Sequence, residues 1–187
     1  MDSTPVNGVD VLQLMATIDA VKGDPELAKF VFRAHTEWQT GAHVRTQIQG
    51  FRGVKQEDSS RTQPFVLEGD EPPVLLGSNR GPNAVELLLA GLTACLSVGI
   101  SYNAAARGIT IETMTLDVTG DIDLQGFLGI SESVRPGCQE IHIACRIKSP
   151  ASDQEIADLL DHVQQTSPVT DMLRYPTPVQ VRFIRDS

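Results

Sequence analysis

Residues 81–109 read GPNAVELLLAGLTACLSVGISYNAAARGI, and no charged residue falls between Glu86 and Arg107. Asn83 with Glu86 three positions on is a capping-box arrangement, in which each side chain satisfies a backbone N–H at a helix start. Arg107 in the last turn and Gly108 just beyond it are stop signals. The stretch therefore predicts a helix of about 24 residues, roughly 36 Å long. An apolar run of about 20 residues also suits a bilayer span. Here Thr93, Ser97, Ser101, Tyr102 and Asn103 interrupt it, and its flanks alternate like strands. The expectation is a helix buried inside a globular protein, with no membrane. Gly91, Cys95 and Gly99 recur every four residues, so they share one face and invite another helix to approach closely.

Outward from this helix the chain alternates helix and strand. Val11, Leu14, Met15, Ile18 and Val21 have helical spacing, and Asp24-Pro25-Glu26 suits a fresh helix start. Phe30, Phe32, Ala34 and Thr36 alternate as a strand that turns at Thr40-Gly41 and returns over 43–53. Lys55 to Arg61 reads as a polar loop, Pro64 to Leu67 as a short strand, and Glu71-Pro72-Pro73 as its stop. Beyond the helix, 109–123 reads as one strand whose apolar parity shifts near Glu112, which predicts a bulge. A loop is expected over 121–137 and a half-buried strand over 139–148, with Ile141, Ile143, Cys145 and Ile147 on one face. Ser152 and Glu155 form a second capping box for a helix through Gln165, which Ser167-Pro168 interrupts. Val179 to Ile184 is the expected closing strand. No linker divides the chain, and a single α+β domain is the expectation.

The chain has 187 residues, and Lys+Arg 15 against Asp+Glu 24 leave a net charge of −9. A surface that acidic repels phosphate backbones, which argues against nucleic-acid binding. The three cysteines contain no CxxC pair, which excludes a disulfide framework and a Cys-rich zinc module and fits a reducing, cytoplasmic setting. The first ten residues, MDSTPVNGVD, lack the basic and apolar regions of a secretory signal. No GxSxG, P-loop or GxGxxG occurs, against serine hydrolases, P-loop NTPases and Rossmann dehydrogenases. No metal or cofactor is expected. His35 and His43 are placed to face each other across the hairpin, yet lack a third ligand.

Among the thiols, Cys145 lies on an apolar strand face and Cys138 follows Pro136-Gly137 at a strand entrance. Cys95 is mid-helix, more than two turns from the helix start. It gains little from the helix dipole there and needs an Arg or His from elsewhere to activate it. On position alone it reads as a small packing residue or as a reactive thiol. Glu86 precedes Cys95 by nine helical steps, about 900° and about 13.5 Å along the axis, so it cannot polarise that thiol within the helix. Capping is its first explanation.

These residues resemble the OsmC family, osmotically inducible protein C and its organic-hydroperoxide-resistance relatives. The resemblance is carried by the run from Gly81 to Cys95 and by Ala105-Ala106-Arg107-Gly108-Ile109. Gly120-Asp121-Ile122-Asp123, Val134-Arg135-Pro136-Gly137 and Ser167-Pro168-Val169 with Pro176-Thr177-Pro178-Val179 complete it. It covers about residues 30–185, so a domain over 30–187 is expected behind an N-terminal helical extension, 1–29. The resemblance implies antiparallel sheets wrapped around long central helices in an intertwined homodimer. It implies a peroxidatic cysteine at Cys95, assisted by a Glu, matched here by Glu86, and by an Arg for which Arg45, Arg61 and Arg80 are candidates. It also implies a resolving cysteine before Pro-Val, where this chain carries Ser167.

The function expected is thus a thiol-dependent organic hydroperoxide reductase working with Cys95 alone and reduced by an external thiol. The alternatives are a non-catalytic dimer holding a small hydrophobic ligand at its interface, and a structural dimer in which Cys95 only packs.

Overall fold

A computed structural model describes residues 5–185. The chain divides into two compact units, Met1–Ala90 and Gly91–Ser187. The boundary falls inside a helix, so no Pro-, Gly- or Ser-rich linker marks it in the sequence.

The first unit opens on helix α1, Val11–Gly23, capped by the Asp10 carboxylate, which accepts from Gln13 N at 3.0 Å. Asp24-Pro25-Glu26 starts a single 3-10 turn, Pro25–Ala28, rather than a new α-helix. Strand β1, His35–Thr40, pairs antiparallel with β2, His43–Ile48. Gly41, φ +57°, opens the two-residue loop between them, where a left-handed residue is needed. The expected return over 43–53 is broken. β2 ends at Ile48, and β3, Phe51–Gly53, forms its own hairpin with β4, Gln56–Asp58, inside the expected loop. Its turn is Val54-Lys55, with φ of 50° and 65°, a conformation usually signalled by Asn-Gly or Asp-Gly. β5, Phe65–Gly69, completes the sheet in the order β1-β2-β5. Phe30 bears on Gly53, where any side chain would collide with its ring.

Helix α2, Ala84–Ala106, begins in the first unit and runs into the second. Its start is the expected capping box: Glu86 Oε2 accepts from Asn83 N at 2.8 Å, and Asn83 Oδ1 accepts from Glu86 N at 2.9 Å. Gly108, φ +71°, ends it in the left-handed conformation.

In the second unit, β6, Thr113–Asp121, pairs antiparallel and in unbroken register with β7, Glu140–Lys148. The bulge expected near Glu112 is absent; the parity shift marks where the strand begins. The expected loop over 121–137 contains a one-turn helix, α3, Leu124–Phe127. Helix α4, Asp153–Thr166, carries the expected capping box at Ser152 and Glu155. Ser167 closes α4 and also caps a further helix, α5, Pro168–Arg174. An N-cap serine followed by Pro at the first helical position is a start signal as well as an interruption. No strand forms over 179–184, and Val181 is 93% exposed. Alternation selects the faces of a strand, but a ladder also needs a neighbour, and none of the described residues pairs with this segment.

The core lies in the second unit. Leu92, Leu96, Ile100 and Ala104 recur every four residues of α2 and pack with Leu159 and Val163 of α4. Met114, Leu116, Ile141, Ile143, Cys145 and Ile147 line the inner face of β6–β7 against them. This stripe, with Ala105, holds the buried residues of the helix. Leu88, Val98 and Tyr102 are exposed, so the full burial expected from hydropathy is not reached. Each of Ile100, Leu159 and Val163, at most 1% exposed, contributes about 1.5–3 kcal/mol by leaving water.

Of the two glycines flanking Cys95, only Gly99 is needed by the packing. A Cβ there would lie 2.9 Å from Val163 Cγ1, whereas Gly91 faces open space. Gly99→Ala gains about 1 kcal/mol of helix propensity but overpacks a stiff β-branched neighbour at a cost of about 1–3 kcal/mol. Urea denaturation should show a net loss in the native background and a neutral or stabilising effect in a Val163→Ala background. Equal effects in both backgrounds would discard this contact.

Candidate active site

Cys95 sits one turn before Gly99 on α2, and Ser167 one turn after Val163 at the end of α4. Cys95 Sγ and Ser167 Oγ are 3.3 Å apart. The thiol is half-buried and Ser167 is 5% exposed. The serine is held from three sides. Its backbone N–H donates to Val163 O at 2.9 Å, and its Oγ accepts from Thr170 N at 3.3 Å and from Thr170 Oγ1 at 3.0 Å. Thr170 is itself buried. Sequence reasoning missed it, although a serine with threonine three residues later is readable as an N-cap and its N3 partner.

The other thiols stand apart. Cys145 opposes Leu116 in the β6–β7 ladder and packs on the core, and burial pushes its thiol above the ordinary range. Cys138 is a free, half-buried thiol between α3 and β7. Glu86 has the capping role described above.

The three candidate arginines all have partners in the first unit. Arg61 lies over the rings of Phe51 and Phe65 and donates to Gln49 O. Arg45 Nε donates to Glu68 Oε1 at 2.8 Å, and Arg80 approaches His43 Nδ1 at 3.1 Å. Since arginine only donates, His43 Nδ1 accepts and Nε2 carries the proton that Glu68 Oε2 accepts at 2.7 Å. Arg45 and His43 hold the Glu68 carboxyl below its usual range. His35 does not face His43: it pairs with Gln47, and Thr40 pairs with His43. Among the described residues, no group of three or more His, Cys, Asp or Glu is placed to hold a metal ion.

A pocket of about 190 Å³ lies beside this network, lined by Thr40, Gly41, His43, Asp70, Gly77 and Arg80 among others. Asp70 organises its rim, accepting from the backbone N–H groups of Glu71 (2.8 Å), Ser78 (3.1 Å) and Arg80 (3.2 Å). Burial opposes its charge, yet these donors hold its carboxyl below the ordinary range.

The family model for OsmC-like proteins matches residues 77–182. The chain belongs to the OsmC family. A hydroperoxide reductase of Mycoplasma pneumoniae is 33% identical over 129 residues, covering 65% of this chain and 83% of that protein. The crystal structure of an OsmC-like protein from Mycoplasma pneumoniae superposes with a TM-score of 0.59 at 22% identity, covering 76% of this chain and 86% of the other. That of an organic hydroperoxide resistance protein OsmC from Legionella pneumophila gives 0.54 at 16%, covering 77% and 89%. The α+β architecture with antiparallel sheets is thus the OsmC-like fold.

The Asp70 contacts carry a pH dependence. Its folded-state pKa lies below the unfolded value of about 3.9, so its contribution is present above about pH 4 and is lost as pH falls through the folded value. Asp70→Asn should lower the urea midpoint at neutral pH, and the gap to wild type should close as pH drops from about 5 to about 3. A gap of constant size would show that the carboxylate charge is not its source.

Proposed function

We propose that this OsmC-family chain is a single-cysteine thiol peroxidase for organic hydroperoxides. The observation that carries the reading is a half-buried Cys95 thiol whose neighbour at 3.3 Å is the hydroxyl of Ser167. The similarity to a hydroperoxide reductase supports the reaction class. The Cys95 thiolate attacks the terminal oxygen of ROOH; the O–O bond breaks, the sulfur becomes sulfenic acid, and the alkoxide leaves as ROH after taking a proton. Ser167 has no sulfur with which to condense. An external thiol RSH therefore forms the mixed disulfide Cys95–S–SR with loss of water. A second RSH releases the Cys95 thiol and RSSR.

A second copy of the chain belongs to this proposal, as does a reducing cytoplasmic setting that supplies the thiol. The exposed apolar side chains Val98 and Tyr102 of α2 are the surface on which a homodimer would form. The same exposed face favours the competing reading, a non-catalytic dimer that holds a small hydrophobic ligand.

Peroxide consumption with a small thiol as reductant separates the two. Cys95→Ser should reduce turnover to the uncatalysed background, while Cys138→Ser and Cys145→Ser leave most of it. Turnover by Cys95→Ser equal to that of wild type would reject catalysis at this residue.

The absence of a resolving sulfur gives a second expectation. A disulfide needs Cα atoms roughly 4.4–6.8 Å apart, and side chains already in contact suit that spacing. Ser167→Cys should form an oxidant-induced intrachain disulfide with Cys95, seen by mass spectrometry as the loss of two hydrogens. Wild type under excess hydroperoxide should instead gain two oxygens at Cys95, as sulfinic acid. A native Cys95–Cys138 or Cys95–Cys145 bond after oxidation would contradict the single-cysteine cycle.

A further inference from the structure

We infer that Ser167 is a positioning residue that donates its hydroxyl proton to the Cys95 sulfur, and that Thr170 fixes the direction of that donation. A serine hydroxyl has one proton and two acceptor lone pairs. At Ser167 both acceptor positions are taken by the same residue, through Thr170 N at 3.3 Å and Thr170 Oγ1 at 3.0 Å. The remaining contact, 3.3 Å to Cys95 Sγ, is the one that receives the proton. Ser167 and Thr170 are 5% and 8% exposed, so bulk water does not compete for the hydroxyl. The serine main chain is fixed as well, because its N–H ends α4 on Val163 O. The relay runs one way, from Thr170 to Ser167 to Cys95.

This inference deepens the proposed reaction and rests on it for its catalytic meaning, since Cys95 is there the attacking sulfur. A hydrogen bond to the charged form of an acid favours that form. The same bond draws electron density from the sulfur, and thiolate nucleophilicity falls as the thiolate is stabilised, with a Brønsted coefficient of about 0.4–0.5. Ser167 therefore raises the thiolate fraction and lowers the reactivity of each thiolate. The two effects act in different pH ranges and can be read separately.

The test uses a Cys138→Ala/Cys145→Ala background, in which Cys95 is the single thiol, and a neutral dipyridyl disulfide as probe. Its reaction rate is followed from about pH 6 to about pH 10, without peroxide. A charge-assisted hydrogen bond changing the thiol–thiolate balance about tenfold, with a coefficient of about 0.5, makes Ser167→Ala about threefold slower near pH 7. On the alkaline plateau of the profiles the same variant is about threefold faster, so the two profiles cross. Ser167→Thr, which keeps the hydroxyl, restores the background profile. Ser167→Ala also removes the α5 cap, so Thr170→Val supplies a variant that leaves Ser167 in place. By freeing one acceptor position it should cross in the same sense with smaller amplitude.

Superimposed profiles for Ser167→Ala, or a uniform change by one factor at every pH, would overturn the donor role, because altered access scales both limbs alike. Should Ser167→Ala fail to fold, superimposed Thr170→Val and background profiles would do the same. Crossing profiles in a protein that consumes no hydroperoxide would reject the proposed activity and leave the hydrogen bond standing.

Discussion

The approach of α4 to α2 at Gly99 is the contact on which the second unit depends. Val163 enters the space a side chain at Gly99 would occupy, and this lets Leu159 and Val163 reach the Leu92–Leu96–Ile100–Ala104 stripe. Val163 also accepts the hydrogen bond that ends α4 on Ser167. One turn back along α2 from Gly99 is Cys95, and one turn forward along α4 from Val163 is Ser167. Moving back on one helix and forward on the other keeps the residues in contact, so the helices cross in antiparallel sense. The Cys95–Ser167 pair is the next contact in that register. Two small residues thus act together: Gly99 sets the distance between the helices, and Ser167 carries the hydroxyl that meets Cys95 one turn further along. β6–β7 closes the same core from the other side through Met114, Leu116, Ile141, Ile143 and Ile147.

Local signals were legible in the sequence because the groups that satisfy them are a few residues away. Both capping boxes, at Asn83–Glu86 and Ser152–Glu155, formed as read. So did the Gly108 stop and the Thr40-Gly41 turn. Strand pairing was not legible, even within one tight hairpin. Val54-Lys55 adopts positive φ at both positions without the glycine or asparagine that usually announces it, because the β3–β4 ladder holds it there. Residues 179–184 have a strand's alternation and no neighbour among the described residues. The site divides the same way. Cys95 and Ser167 lie far apart in sequence, and no periodicity joins them; family resemblance did. Thr170 needed only the reading of Ser167 as the start of a helix rather than the end of one. His35 and His43 could be placed in one hairpin, but with the turn at residues 41–42 His43 sits beside the turn opposite Thr40, and His35 lies several pairs further out opposite Gln47.

The same reasoning about fixed donors and acceptors decides two networks of different character. In the first unit, the arginine at His43 Nδ1 can only donate and the carboxylate at Nε2 can only accept, so the imidazole proton has one position. In the second unit, Thr170 fills both acceptor positions of Ser167, and the hydroxyl proton again has one direction. The difference lies in exposure. Arg45 and Arg80 are exposed, and ion pairs there are screened by water and salt. Ser167 and Thr170 are buried, where an unmatched donor or acceptor costs its full desolvation. A conformational choice at the serine is therefore more strongly enforced than one at the arginines.

Serine beside the thiol also sets what the sulfur can become. A thiol at that position would compete with external thiols for the sulfenic acid and, already being in contact, would win at any ordinary concentration, because an intramolecular partner acts at a high effective concentration. A hydroxyl hydrogen-bonds to sulfur in each oxidation state and condenses with none. In the proposed cycle the oxidised cysteine therefore waits for a molecule from solution, and its lifetime follows the local supply of reductant. Such a thiol is open to sulfinic acid formation when peroxide outruns that supply. The hydrogen bond from Ser167 acts on the step before, raising the thiolate fraction at neutral pH while making each thiolate less reactive. The serine at this position thus tunes how the sulfur enters the proposed cycle and leaves its exit to a thiol from solution.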